Sequence, residues 1–254
     1  MTDALRGFFD DIDAPSRSLV VVNRSEPEPI QNLLDSLLEG QSVGVSELDL
    51  PDADTDVVFL VEDGKVLARS TLDELTDSVL LINSDLYKTG TVDLDEVRLP
   101  DVLAGLDEVP FRLRGYPQSS KEKLLLIVVS RVIERFAAEA GGGTLRSSFQ
   151  RLSRLQDEQG TRRVYDIVGN RGVDVHVYGV GDAELSSLPV TVHQGRSYPY
   201  RRSWFVVCNP PPEAGSDHHA ALVALEDEPN VWDGFWTFRP ALVDRIDRHV
   251  ATSL

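Results

Sequence analysis

The stretch QSSKEKLLLIVVSRVIERFAAEAGGGTLRSSFQRLSRLQDEQGTRRVYDIVGNRGVDVHVYG, residues 118–179, decides the fold. It reads as a long helix, a triple glycine, a basic linking segment, a second helix and a buried strand. Ser119 and Glu122 hold the S-x-x-E spacing of a capping box, in which each side chain satisfies an otherwise unpaired backbone N–H. Leu124 to Val129 is unbroken apolar sequence, so the first turns should be buried on more than one side. Leu125, Val129, Val132, Phe136 and Ala140 continue as one apolar stripe, with Arg131, Glu134, Arg135 and Glu139 on the opposite face. Gly141, Gly142 and Gly143 end the helix, because glycine takes the left-handed C-terminal conformation at little cost. A membrane span needs about 18 or more apolar residues, so this is a core helix. Val164, Ile167 and Val168 sit at helical spacing before a stop at Gly172. Val173, Val175 and Val177 then alternate with Asp174, His176 and Tyr178, as in a strand with one buried face. Helix, glycine and strand together form the returning half of an α/β unit.

Toward the N-terminus, residues 3–9 predict a short helix with Leu5, Phe8 and Phe9 inward, and Ser18 to Asn23 a buried strand. A helix at about 29–39 follows, closed by Gly40, and then a strand from Val43 to Leu50. DVVFLVEDGKVLARS reads as a hairpin turning at Glu62-Asp63-Gly64. Thr71 to Glu74 is a second capping box opening a short helix, and Ser78 to Asn83 reads as a strand. Residues 85–117 are a long connection. Toward the C-terminus, strands are expected at Val190–His193, Ser203–Asn209, Ala220–Glu226 and Gly234–Phe238. Pro240 opens a closing helix with Ala241, Leu242, Val243, Ile246 and Val250 on its apolar side. The expected fold is α/β or α+β, a mixed central sheet with flanking helices. An N-terminal α/β lobe (1–117) and a strand-rich C-terminal core (118–254) are expected to form one cooperative unit.

The chain of 254 residues carries a net charge of −17. Lysine occurs only at positions 65, 88, 121 and 123. Abundant acid with scarce lysine suits a very salty cytoplasm, since at about 1 M salt the Debye length falls to roughly 3 Å and self-repulsion is screened. Cys208 is the single cysteine, which excludes an internal disulfide and a thiolate zinc cluster. The opening residues MTDALRGFFDDIDAPS lack a basic region followed by an apolar run, so a cytoplasmic protein is expected.

The chemical motifs are few. Gly179-Val180-Gly181 follows a strand, but Glu184 stands where a dinucleotide fingerprint has its third glycine. The glycines at 141–143 are not followed by the Lys-Ser/Thr of a P-loop. His218-His219, His176 and His193 have no spacing that imposes convergence on a metal. No Gly-x-Ser-x-Gly elbow is present. Hence neither a catalytic residue nor a metal site is assigned, and no cofactor is named.

Arginine is the exception. Arg146, Arg151, Arg154, Arg162, Arg163 and Arg171 form one acid-poor island, and Arg196, Arg201 and Arg202 form another beside Tyr198, Tyr200 and Trp204. One reading is an anionic or nucleotide-like ligand held by arginine forks and stacked on aromatics; the other is pairing with the acidic surface. Trp232, Phe235, Trp236 and Phe238 could form either a core or a stacking wall. The ligand hypothesis gathers Arg146, Arg151, Arg154, Arg201, Arg202 and Trp204 in one cleft near Trp232 and Trp236. No helix-turn-helix or basic helix organises the arginines, so nucleic acid is not an expected partner.

SSKEKLLLIVVSRVIERFA, GGTLRSSFQRLSRL, GTRRVYDIVGNRGVDVHVYG, SWFVVCN and NVWDGFWTFRPALVDRI together resemble the DICT sensory domain, over residues 118–254. The layout is similar to stand-alone DICT proteins of salt-loving microbes. The resemblance implies a non-catalytic sensory role that acts on a signalling protein in trans, in the setting of diguanylate cyclases and two-component systems. It brings no ligand and no catalytic residue to transfer. A partner-binding adaptor without a small ligand, and an enzyme with an arginine-rich anion cleft, stay open beside it, as does a homo-oligomer.

Overall fold

A computed structural model describes residues 4–25, 42–51, 53–81, 94–114 and 123–254. The helix expected at 29–39 and the capping box of Ser119 and Glu122 lie outside these. Strands β1 (Arg17–Val22), β2 (Gly44–Leu48), β3 (Val57–Glu62) and β4 (Lys65–Thr71) form a first sheet in the order β2-β1-β3-β4. The β3–β4 hairpin turns at Asp63 and Gly64, both with positive φ, as the Asp-Gly pair demands. Helix α1 (Leu72–Leu81) opens on a true capping box. The Glu74 N–H donates to Thr71 Oγ1 at 3.1 Å, and the Thr71 N–H donates to Glu74 Oε2 at 2.8 Å. Of the strand expected from Ser78 to Asn83, residues 78–81 are instead the end of this helix, and the last two lie outside the described residues. A short apolar run carries no periodicity of its own, so the capped start upstream decides its conformation.

The second sheet has seven strands in the order β5-β11-β10-β9-β6-β7-β8. Its members are β5 (Phe111–Arg114), β6 (Thr144–Arg151), β7 (Asp174–Val180), β8 (Thr191–Gln194), β9 (Ser203–Asn209), β10 (Ala220–Glu228) and β11 (Val231–Thr237). Short helix α2 (Asp101–Ala104) precedes β5, and α3 (Lys123–Ala140) is the central helix. Helices α4 (Arg154–Asp157) and α5 (Gln159–Asn170) carry the crossover from β6 to its parallel neighbour β7. Helix α6 (Tyr198–Arg202) leads into β9, and α7 (Pro240–Ser253) closes the chain.

The segment expected as a basic linker, residues 144–151, is strand β6. It pairs in parallel with β7 and antiparallel with β9, near the middle of the sheet. Its hydroxyl and guanidinium side chains hide a strand because both faces are covered by helices rather than by water. Gly143 feeds it from α3 with φ of 74°, and a Cβ there would lie 2.3 Å from the Asn209 carbonyl oxygen. Only glycine fits, so the exit of α3 is pressed against the end of β9.

Helix α3 lies over β9 and β10 on one face of the sheet, with α5 beside it. Leu125, Val129, Val132, Val206, Leu222, Trp232 and Trp236 form this core, which continues without a break into Leu19, Val21, Val58 and Leu60 of the first sheet. On the other face Leu242, Val243, Ile246 and Val250 of α7 pack on Phe205, Val207, Val223 and Phe235, joined by Leu5 and Phe8. Ala241, expected on the apolar side, is exposed. The alternation in β11 thus sends Phe235 and Trp236 to opposite cores.

Candidate functional site

A cavity of about 40 Å³ lies between α3, the crossover helices and the sheet. Helix α3 contributes Ile127, Ser130, Arg131 and Glu134; β6 contributes Ser147, Ser148 and Phe149. Arg154, Glu158, Thr161 and Tyr165 come from the crossover, and Trp204 and Val206 from β9. The sequence expectation placed Arg131 and Glu134 on the exposed face of α3. They are 3 % and 2 % exposed, because α5 packs over that face. They form an i,i+3 ion pair in which the guanidinium donates to Glu134 Oε2. Burial opposes the Arg131 charge, but the Glu134 carboxylate, with Tyr165 and Glu158 beside it, more than offsets that, and the guanidinium pKa is raised.

Hydrogen bonds fix the rim. Arg131 Nη2 donates to Thr161 Oγ1 at 2.6 Å, and that hydroxyl donates to Glu158 Oε2 at 3.1 Å. Trp204 Nε1 donates to Ser130 Oγ at 3.1 Å, and Ser130 passes its own proton to the Leu126 carbonyl at 2.7 Å. Ser148 Oγ donates to the Ser203 carbonyl at 2.9 Å and accepts the Phe205 N–H at 3.0 Å, where β6 and β9 part. Gln150, at φ of 51°, bulges there and bonds the same carbonyl.

Three lining groups remain unmatched. Arg131 Nε, Ser147 Oγ and the Tyr165 hydroxyl are buried without a partner of hydrogen-bonding geometry. Ser147 and Glu134 still lie close enough to Tyr165 to influence its ionisation. Burial first, and Glu134 second, push the phenol well above its ordinary range, so Tyr165 keeps its proton. Buried polar groups are nearly always satisfied, and three exceptions around one cavity call for an explanation.

The residues of the arginine hypothesis separate. Arg154 and Trp204, one from each island, line this cavity, and Trp232 meets Trp204 edge to face at 6.4 Å. Trp236 is wholly buried beside Phe111. Arg151 is exposed and lies 3.9 Å from Asp182. Arg201 is exposed on α6, while Arg202 lies 3.7 Å from Glu226 and over the Tyr198 ring. Arg146 points to the opposite face, donating to Asp247 of α7 at 2.7 Å and to the Tyr178 hydroxyl at 3.2 Å. One cleft therefore does not hold all eight. The side chains missed in the sequence are Ser130, Arg131, Glu134, Ser147, Thr161 and Tyr165; only Arg131 and Glu134 carried a signal, an i,i+3 pair of opposite charge on α3.

On the Arg146 side, His193 stacks on Tyr178 at 4.4 Å, and its Nε2 lies 2.9 Å from His176 Nδ1. His176 Nε2 is 3.0 Å from Asp174. Burial, His176 and Arg146 hold the His193 pKa below its ordinary 6.5, against the pull of Asp174. The unfolded chain thus takes up this proton first. Stability is expected to be level above about pH 6.5 and to fall as the pH drops below it. Urea midpoints at pH 7.5 and 5.5 check this: His193→Gln should lose less on acidification than the parent, and equal losses would rule His193 out as the cause.

Cys208 is buried and its thiol is pushed up to about 12, so it is no nucleophile at neutral pH. Among the described residues no group of three His, Cys, Asp or Glu could hold a metal, and no helix is long and apolar enough to cross a membrane.

No curated protein matches this chain. Among solved structures, polyphosphate kinase from Porphyromonas gingivalis is similar at 9% identity and a TM-score of 0.35, over 97% of this chain and 47% of that one. That likeness is too weak to carry an argument, and the chain spans less than half of the kinase. The family model described as "Sensory domain in DIguanylate Cyclases and Two-component system" matches residues 101–227, from the start of α2 into β10. This match begins ahead of residue 118, ends short of α7, and takes in every side chain that lines the cavity. The chain belongs to the DICT family of sensory domains.

Proposed function

We propose that the chain is a non-catalytic sensory module whose stimulus is read in the cavity beneath α3, and whose state is read by another signalling protein in trans. The observation that carries this is the trio of unmatched buried polar atoms lining that cavity. A group that satisfies them favours one arrangement of α3 and α5 over another, which is all that a population shift requires. The two-component setting follows the wording of the family description, and the trans arrangement is part of the proposal itself. The shared apolar core of the two sheets supports one cooperative unit over 1–254.

Protein isolated from its native host without a denaturing step should release a small molecule or ion on unfolding, detectable by mass spectrometry. Preparations of Tyr165→Phe should release several-fold less. Equal release from both, or none from either, counts against the cavity as the sensing site.

The acidity fits a cytoplasm rich in salt. At about 0.01 M salt the Debye length reaches roughly 30 Å, so a chain of charge −17 repels itself across its whole width. Near-UV circular dichroism is expected to fade in dilute buffer and return in molar salt; a signal indifferent to salt would refute the halophilic reading.

A further inference from the structure

We propose that the cavity under α3 binds a small monovalent anion. This deepens the sensory reading above and rests on it for biological meaning, though not for the chemistry. Every unmatched group on the wall can offer a proton. Arg131 Nε is a donor only, and the Ser147 and Tyr165 hydroxyls make no aligned hydrogen bond, though Tyr165 lies close to Ser147 and to Glu134. A wall of donors asks for an acceptor-rich guest.

Charge sets the limit. Glu134 already neutralises Arg131 through their buried ion pair. Arg154 stands half-buried at the cavity, with no ion pair to a described carboxylate. Glu158 also lines the site, held by Thr161, so the fixed charges of the lining sum to zero. The lining is therefore neutral, and a guest with one negative charge burdens it less than a guest with two.

Volume sets the size. The cavity of about 40 Å³ is little larger than the roughly 30 Å³ one water takes in the liquid. A halide, nitrate or a formate-sized carboxylate fits this space, and a nucleotide or phosphate ester does not. A nucleotide-like ligand, one of the forms considered from the sequence, does not suit a cavity of this volume.

The probe is chloride, followed by the line width of its ³⁵Cl resonance with the full chain held at constant ionic strength in potassium sulfate. Wild type is expected to give saturable excess broadening, removed by formate or nitrate and untouched by further sulfate. Tyr165→Phe and Arg154→Gln should each reduce it at least fivefold while near-UV circular dichroism stays as in wild type. Tyr165→Phe deletes only an atom without a partner, so it should fold; Ser147→Ala serves if it does not. Bromide soaked into crystals should give an anomalous peak between Arg131 and Tyr165. Broadening that is equal in wild type and variants places the ion on the outer surface and overturns the proposal. If broadening is absent and the native protein releases a neutral molecule in a Tyr165-dependent way, the anion falls and the sensory cavity stands. If both are absent, both fall.

Discussion

Arg131→Met is expected to destabilise the protein by about 3–5 kcal/mol, because it strands the Glu134 carboxylate in a site that is 2 % exposed. Most of that loss is the penalty of an uncompensated buried charge, and only a minor part is the worth of the pair. The distinction is measurable. Arg131→Met combined with Glu134→Leu removes both charges and keeps the volume, and it should recover most of the loss. Urea denaturation of the four proteins in molar salt completes the cycle. Losses that add, with the double variant worse than either single one, would mean that the pair does not act as a unit.

Leu125→Asp should cost a comparable amount, about 3–5 kcal/mol, for a different reason. Leu125 is 1 % exposed in the core that runs from α3 to the first sheet. The substitution removes apolar contacts and adds a carboxylate with no cation assigned to it. Leu125→Ala, which leaves a cavity without a charge, should cost about 2–5 kcal/mol. A Leu125→Asp protein that melts with wild type in molar salt would show that α3 is peripheral to the fold.

What could be read from the chain follows the range of the interactions. The α3 helix, the Thr71 cap, the Asp63-Gly64 hairpin and the alternating strand at Val175 and Val177 are each set by neighbours within a turn or two, and all appear. Strand β6 was opaque, because Arg146, Ser147 and Ser148 have polar side chains on both faces. Their environment is supplied by Asp247 on one side and Tyr165 on the other, far along the sequence. The arginine islands misled for the same reason. Counting charge in a window cannot tell that Arg146 and Ser147, as neighbours in a strand, address opposite layers. Arg154 and Trp204 were legible as candidates, whereas the buried Arg131–Glu134 pair needed α5 laid over it before it could be told from a solvated stripe.

The unmatched hydroxyls carry a consequence for how this sequence can change. A buried polar atom without a partner withholds about 1–3 kcal/mol that an apolar replacement would return. Phenylalanine at 165 and alanine at 147 are therefore mutations that selection for heat resistance alone would fix early. With Tyr165 and Ser147 in place this sequence forgoes that gain, as proteins do where function competes with stability. A library of this chain enriched only for survival at high temperature should lose these two positions while keeping Leu125 and Gly143, and the positions surrendered first would mark out the sensor.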